Sequence, residues 1–144
     1  MIMANAERKF YDKAVVKGTA YWPHLFTVDQ YSKKYQIDIG KLDTDSVDLL
    51  ESKGVILKNK DGHPSDGPFI VAKTTRPVKV MDRERNLIDV SRINVGNGSE
   101  VKIKVAFNDD HPFVDKYGTS LYLEAVQVLN LVEYNSDPVD NDFD

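Results

Sequence analysis

The chain has 144 residues, 41% of them hydrophobic and 10% aromatic, with 19 Lys+Arg against 23 Asp+Glu for a formal net charge of −4. That is one domain's worth of chain, long enough to bury a core without a disulfide or metal staple. The lack of cysteine excludes disulfide frameworks, thiolate zinc sites, iron–sulfur clusters and cysteine nucleophiles, and suits a reducing cytoplasm.

No apolar run approaches the ~18 residues of a membrane span, and Met1 to Tyr11 lacks an apolar signal-peptide core, so a soluble, intracellular protein is expected. β-Branched and aromatic residues come in short runs divided by Gly, Asn, Asp and Pro, the pattern of a mainly β protein. Ala14 to Trp22 and Lys33 to Leu42 read as the first two strands, joined by a loop with Pro23, His24 and Phe26. Asp43-Thr44-Asp45 supplies capping and acidic residues for the one short helix, from about Asp45 to Lys53, with Gly54 as its stop.

Val55 to Lys58 and Phe69 to Thr75 read as strands on either side of a turn-rich stretch, and Val78 to Asp82 with Asn86 to Val90 as a hairpin around Arg83-Glu84-Arg85. In the next strand Val101, Ile103, Val105 and Phe107 alternate with Lys102, Lys104 and Ala106, so one face is buried and the other offers lysines. The last strand, about Thr119 to Glu133, exceeds the usual length. Its apolar phase changes from Leu121, Leu123 and Ala125 to Val126 and Val128, which predicts a bend or bulge. Five or more strands, one of them turning a corner, with a single helix predict a small Greek-key barrel of the oligonucleotide/oligosaccharide-binding (OB) fold. The expected division is an N-terminal arm over 1–12, the barrel over 13–133 and a disordered acidic C-terminal tail over 134–144.

The tail holds Asp137, Asp140, Asp142 and Asp144 and no base, so it carries the whole net charge and the rest of the chain is neutral. Within that neutral body Lys58 to Lys104 has ten bases and six acids. Scattered charge on a solvated surface is one reading of this. The other is a basic track with interleaved aromatics, as single-strand binding requires. Lys13, Lys17 and Tyr21 share one phase of the first strand, and Lys33, Lys34 and Tyr35 open the second. Lys73, Arg76, Lys79, Lys102 and Lys104 add charge, and Trp22, Phe26 and Tyr31 sit around a Pro-interrupted loop where burial is hard to arrange. Phe10, Phe69 and Phe113 are open between core and surface, while the phase of Phe107 favours the core.

His24, His63 and His111 each neighbour a proline or a turn, lack ligand spacing, and read as surface polar residues. No metal, cofactor or catalytic residue is expected. Gly96-Asn97-Gly98-Ser99 lacks the Lys-Ser/Thr of a phosphate-binding loop and reads as a turn, and Asp109-Asp110 as a solvated connection.

Gly96-Asn97-Gly98-Ser99 with Val101-Lys102-Ile103-Lys104-Val105, then Tyr117-Gly118-Thr119-Ser120-Leu121-Tyr122-Leu123-Glu124-Ala125-Val126-Gln127-Val128-Leu129, and an acidic end with Asp142-Phe143, resemble phage T7-type single-stranded DNA-binding proteins. Tyr21-Trp22-Pro23-His24-Leu25-Phe26 is similar to the loop after that family's first strand. The resemblance implies an OB barrel that coats single-stranded DNA in phage replication, recombination and repair, in the cytoplasm of an infected bacterium. It also implies a homodimer, and a tail (Asp137, Asp140, Asp142, Phe143, Asp144) that competes with DNA and contacts replication proteins such as polymerase and helicase/primase. Here Phe143 is followed by Asp144 instead of ending the chain. A structural adaptor of a virion and an RNA-binding barrel are the alternatives.

Overall fold

In the computed structural model, which describes residues 12–133, Lys13–His24 (β1), Tyr35–Gly40 (β2), Phe69–Thr74 (β3), Lys79–Met81 (β4), Glu100–Asn108 (β5) and Ser120–Asn130 (β6) form one sheet. Its order is β3-β2-β1-β5-β6-β4, and an additional parallel pairing between β3 and β6 (Lys73 opposite Tyr122) closes it into a ring. All other contacts around the ring are antiparallel, while β4 adds a short parallel strand to β6. This is the Greek-key OB barrel.

The core follows from alternation along each strand. Val16, Ile37, Ile39, Ile70, Val101, Ile103, Val105 and Val126 point inward and are all but inaccessible, and Phe107 joins them. Lys13, Val15 and Lys17 of β1, opposite Ala106, Lys104 and Lys102 of β5, take the outer phase. The bend in β6 is at Glu124: Lys104 pairs with Ala125 and Val105 with Leu123, leaving Glu124 as the extra residue of a bulge. Leu121 and Leu123 before it and Val126 and Val128 after it therefore all reach the core.

The helix is Thr44–Ser52 (α1), and its N-cap is Asp43, whose carboxylate accepts from the Ser46 backbone N–H at 2.8 Å. Ser46 Oγ in turn accepts from the Lys17 N–H at 2.9 Å, tying the helix start to β1. Hydrogen bonds from the Ser46 hydroxyl and backbone hold the Asp43 carboxyl below its ordinary value. A depressed carboxyl contributes stability that is present above the ordinary pKa and lost as pH falls through the folded one. Asp43→Ala is expected to cost about 1 kcal/mol at pH 7, and the gap from the parent should close as pH falls below about 4. Urea unfolding at a series of pH values checks this.

Two expected strands form differently. Val55 to Lys58 makes only isolated bridges, Val55 to Gly118 and Lys58 to Phe69. Of the expected hairpin only β4 forms, with a lone bridge from Met81 to Leu87. The returning arm is diverted by local side-chain acceptors: Asp82 takes the N–H groups of Glu84 and Asn86, and Asp89 that of Ser91. A second helix, Val114–Tyr117 (α2), is a single turn, too short to leave a periodic signal.

Candidate functional site

Over the β3–β6 junction the outer surface forms a groove of about 930 Å³. Six cations line it: Lys13 from β1, Lys34 from the end of the β1–β2 loop, Lys58 from the segment before β3, Lys73 from within β3, Arg76 just after it, and Lys116 from α2. The one carboxylate among its lining residues, Glu124 on the β6 bulge, pairs with Lys13 at 2.7 Å. The other five cations face no carboxylate among the groove's described lining residues, which makes its field attractive to a chain of phosphates.

Aromatic faces accompany this charge. Tyr122 is 40% exposed, opposite Lys73, with its hydroxyl accepting from Asn108 Nδ2 at 3.0 Å. Tyr117 is 61% exposed, with Lys116 Nζ 5.2 Å from its ring centre and Phe113 against it edge-on. The β5–β6 loop that carries Phe113, Lys116 and Tyr117 is pinned by His111, whose Nδ1 accepts from the Phe113 N–H and whose Nε2 bonds the Gly118 carbonyl.

A second concavity lies on the other flank of the β1–β2 loop. This cleft of about 550 Å³ is walled by Trp22, Leu25, Phe26, Val90, Ile93 and Val95 among others. Trp22 is 45% and Phe26 57% exposed. Trp22 sits at φ 47°, a conformation costly for a bulky residue, at the irregularity between Tyr21 and His24 where β1 and β2 lose register. Its N–H donates to Asn97 Oδ1 at 2.6 Å. The intervening loop is ordered by Asp29, whose carboxylate accepts from the N–H groups of Tyr31 and Ser32. The Ser32 backbone bond is the largest cause holding Asp29 below the ordinary carboxyl value.

Behind Trp22 lies a buried polar cluster. The segment between Lys58 and β3 folds over the outer face of β1, β2 and β3, where Gly40 makes room: a β-carbon there would overlap Ser65. It brings in His63, whose Nε2 lies 2.9 Å from Asp38 Oδ2 and whose ring stacks on Phe69 with centroids 3.7 Å apart. Burial pushes the Asp38 carboxyl up from its ordinary value, opposed by the His63 hydrogen bond and by the charges of His63, Lys58 and Lys73.

Two readings of the sequence, those of His63 and Tyr21, are corrected by the structure, and a third residue, Phe69, left open between core and surface, is placed. His63 is buried, not a surface residue, because the segment it belongs to is laid onto the barrel. Tyr21 keeps the outer phase it shares with Lys13 and Lys17 but is buried beneath the same segment, edge-on to His63, and offers no face for stacking. Phe69 is buried on the outer face against His63, outside the barrel core.

Of the remaining candidates, Lys13, Lys34, Lys73 and Arg76 converge on the groove, and Trp22 and Phe26 on the cleft. Tyr31 stands 85% exposed on the loop between them, next to Lys33, and Tyr35 is half-buried where β2 starts opposite Thr74. Lys17 and Lys102 face one another across β1 and β5 near Asp43, away from the groove, with Lys104 alongside. Lys79 lies on β4 opposite Ala125. Asp137, Asp140, Asp142, Phe143 and Asp144 lie outside the described residues. Lys58, Lys116, Tyr117 and Tyr122 also line the groove, beyond the DNA-contact candidates that the sequence offers. The adjacent cation and aromatic of Lys116-Tyr117, in a loop that OB folds use for binding, were the available signal. Among the described residues no three His, Asp or Glu side chains converge to hold a metal.

No family model and no curated protein matches the chain. Solved structures do. The C-terminally truncated single-stranded DNA-binding protein of bacteriophage Enc34 is 14% identical, with a TM-score of 0.57 over 89% of this chain and 95% of its own. Gp2.5, the single-stranded DNA-binding protein of bacteriophage T7, is 15% identical, with a TM-score of 0.57 over 94% and 95%. The Enc34 protein in complex with single-stranded DNA is 16% identical, with a TM-score of 0.54 over 88% and 94%. At these identities the likeness establishes the shared fold across most of the chain.

Proposed function

We propose that this protein is a non-catalytic single-stranded DNA-binding protein of the T7 type that coats strands without sequence preference. The observation that carries the reading is the groove, in which five of six lining cations face no carboxylate among the lining residues and which Tyr117 and Tyr122 border, with the separate cleft of Trp22 and Phe26 offering further aromatic faces. Phosphates follow the cations and bases stack on the aromatics, each stacked base adding about 1–3 kcal/mol. Structural neighbours that bind single-stranded DNA share the barrel that arranges these parts, which supports the same use of it here.

The wider role belongs to the same proposal: service in phage replication, recombination and repair in the cytoplasm of the host, as a homodimer. The acidic tail from Asp137 to Asp144 restrains binding by competing for the groove and engages replication proteins. Gel shift with oligo(dT), a duplex and an RNA of equal length tests the binding. The single DNA strand is expected to bind most tightly, and a folded protein that binds none of them at low salt contradicts the reading. Truncation after Tyr134 is expected to tighten oligo(dT) binding, and unchanged affinity would remove the tail's restraint from the proposal.

A further inference from the structure

We propose that His63 is a positioning residue that sets the Trp22 indole for contact with the bound strand. This rests on the reading of Trp22 as a stacking platform. Trp22 has two sides: one lines the open cleft, and the other meets the His63 ring at a centroid distance of 4.7 Å and an interplanar angle of 64°. The histidine is far better fixed than the tryptophan. It is only 5% exposed, flat on Phe69 at 8°, and edged by Tyr21.

Both ring nitrogens of His63 are engaged. Nε2 meets the Asp38 carboxylate, and Nδ1 lies 2.8 Å from Ser65 Oγ and accepts from the Ser65 N–H at 3.0 Å. Ser65 Oγ donates onward to the Gly67 carbonyl at 2.9 Å, so the cluster is anchored to β2 at one end and to its own turn at the other. Both polar edges of the ring are thus held and one face is packed on Phe69, which fixes the surface it presents to Trp22. Trp22 needs such a support. Its backbone occupies a conformation that costs about 1–3 kcal/mol, and the Asn97 bond fixes its N–H but not its side chain. A stacking residue held in place before the base arrives loses less freedom on binding, which is what preorganisation contributes to affinity.

Positioning predicts coupling between the two residues. Trp22→Ala should weaken oligo(dT) binding about tenfold, the worth of one stacked base. His63→Gln retains an amide that can bond Asp38 and so keeps the fold, but removes the ring. It should approach the same loss, and adding it to Trp22→Ala should cost nothing further. Asp38→Asn, whose amide oxygen still accepts from Nε2–H, should stay within about twofold of the parent. Losses that add in the double variant, or a His63→Gln variant that binds as the parent does, would overturn the proposal.

A measurement without DNA separates this from the stacking reading. Trp22 is the only tryptophan, so acrylamide quenching of its fluorescence reports its exposure alone. His63→Gln is expected to raise quenching, and unchanged quenching overturns the positioning role. If Trp22→Ala leaves oligo(dT) affinity unchanged, the stacking reading falls, and the proposal that rests on it falls with it, even where quenching has risen.

Discussion

Replacing Lys73 and Arg76 together with glutamate is expected to weaken oligo(dT) binding by about 30- to 1,000-fold at low salt, the equivalent of about 2–4 kcal/mol. Both residues line the groove, Lys73 half-buried on β3 opposite Tyr122 and Arg76 exposed just beyond the strand end. The double substitution removes two phosphate contacts and puts two repulsive charges in their place. It also changes the groove's lining from six cations and one carboxylate to four and three. The loss should be similar for every base composition, because phosphate contacts carry no sequence information. The dependence on salt should flatten by about 0.7 per contact removed. The corresponding glutamine pair, which removes charge without reversing it, should fall between the parent and the glutamate pair. Fluorescence anisotropy with labelled oligonucleotides of different base composition checks all three expectations.

Ile103→Ala is expected to destabilise the protein by about 3–5 kcal/mol, a large part of the ~5–15 kcal/mol by which a domain is stable. Ile103 is fully buried at the middle of β5, paired with Val16 of β1 and Val126 of β6. These neighbours belong to a closed ring, and a ring cannot collapse onto a cavity by moving an edge strand inward. The void should therefore stay largely open, which puts the cost in the upper part of the range for this substitution. A urea midpoint that falls with little change in slope would identify cavity formation as the cause. If the variant is folded at the assay temperature, oligo(dT) affinity should hardly change, because Ile103 faces away from groove and cleft. Stability and binding should in this way separate between the barrel interior, where Ile103 lies, and the outer surface, where Lys73 and Arg76 line the groove.

Features set by neighbouring residues were legible in the sequence. The alternation of Val101, Ile103 and Val105 with Lys102 and Lys104 is local, and β5 follows it. The change of phase between Leu123 and Val126 marked the bulge at Glu124. Asp43 and Gly54 bracketed α1 to within a residue or two. Features that depend on distant packing were hidden. Nothing in Gly62-His63-Pro64-Ser65 indicates that the segment lies over β2, since that depends on the missing side chain of Gly40 and on Asp38, 25 residues away from His63. The burial of Tyr21 follows from the same event. The groove's composition was hidden for a related reason: Lys58, Lys116 and Tyr122 are brought together by the parallel closure of β3 on β6, a pairing between segments about fifty residues apart that no sequence period records.

The charge balance now has a structural form. A chain of net charge −4 gathers six cations and one carboxylate in the lining of one groove, and its sequence has four aspartates in the last eight residues. The role proposed for that groove is to hold a single strand. Its most direct test is the affinity of the full-length protein for labelled oligo(dT), measured across a salt series. Tight binding at low salt is expected, with a logarithmic slope of about −3 to −4 for the five groove cations that face no lining carboxylate, at ~0.7 each. A folded protein with no affinity at low salt, or an affinity indifferent to salt, would contradict the account.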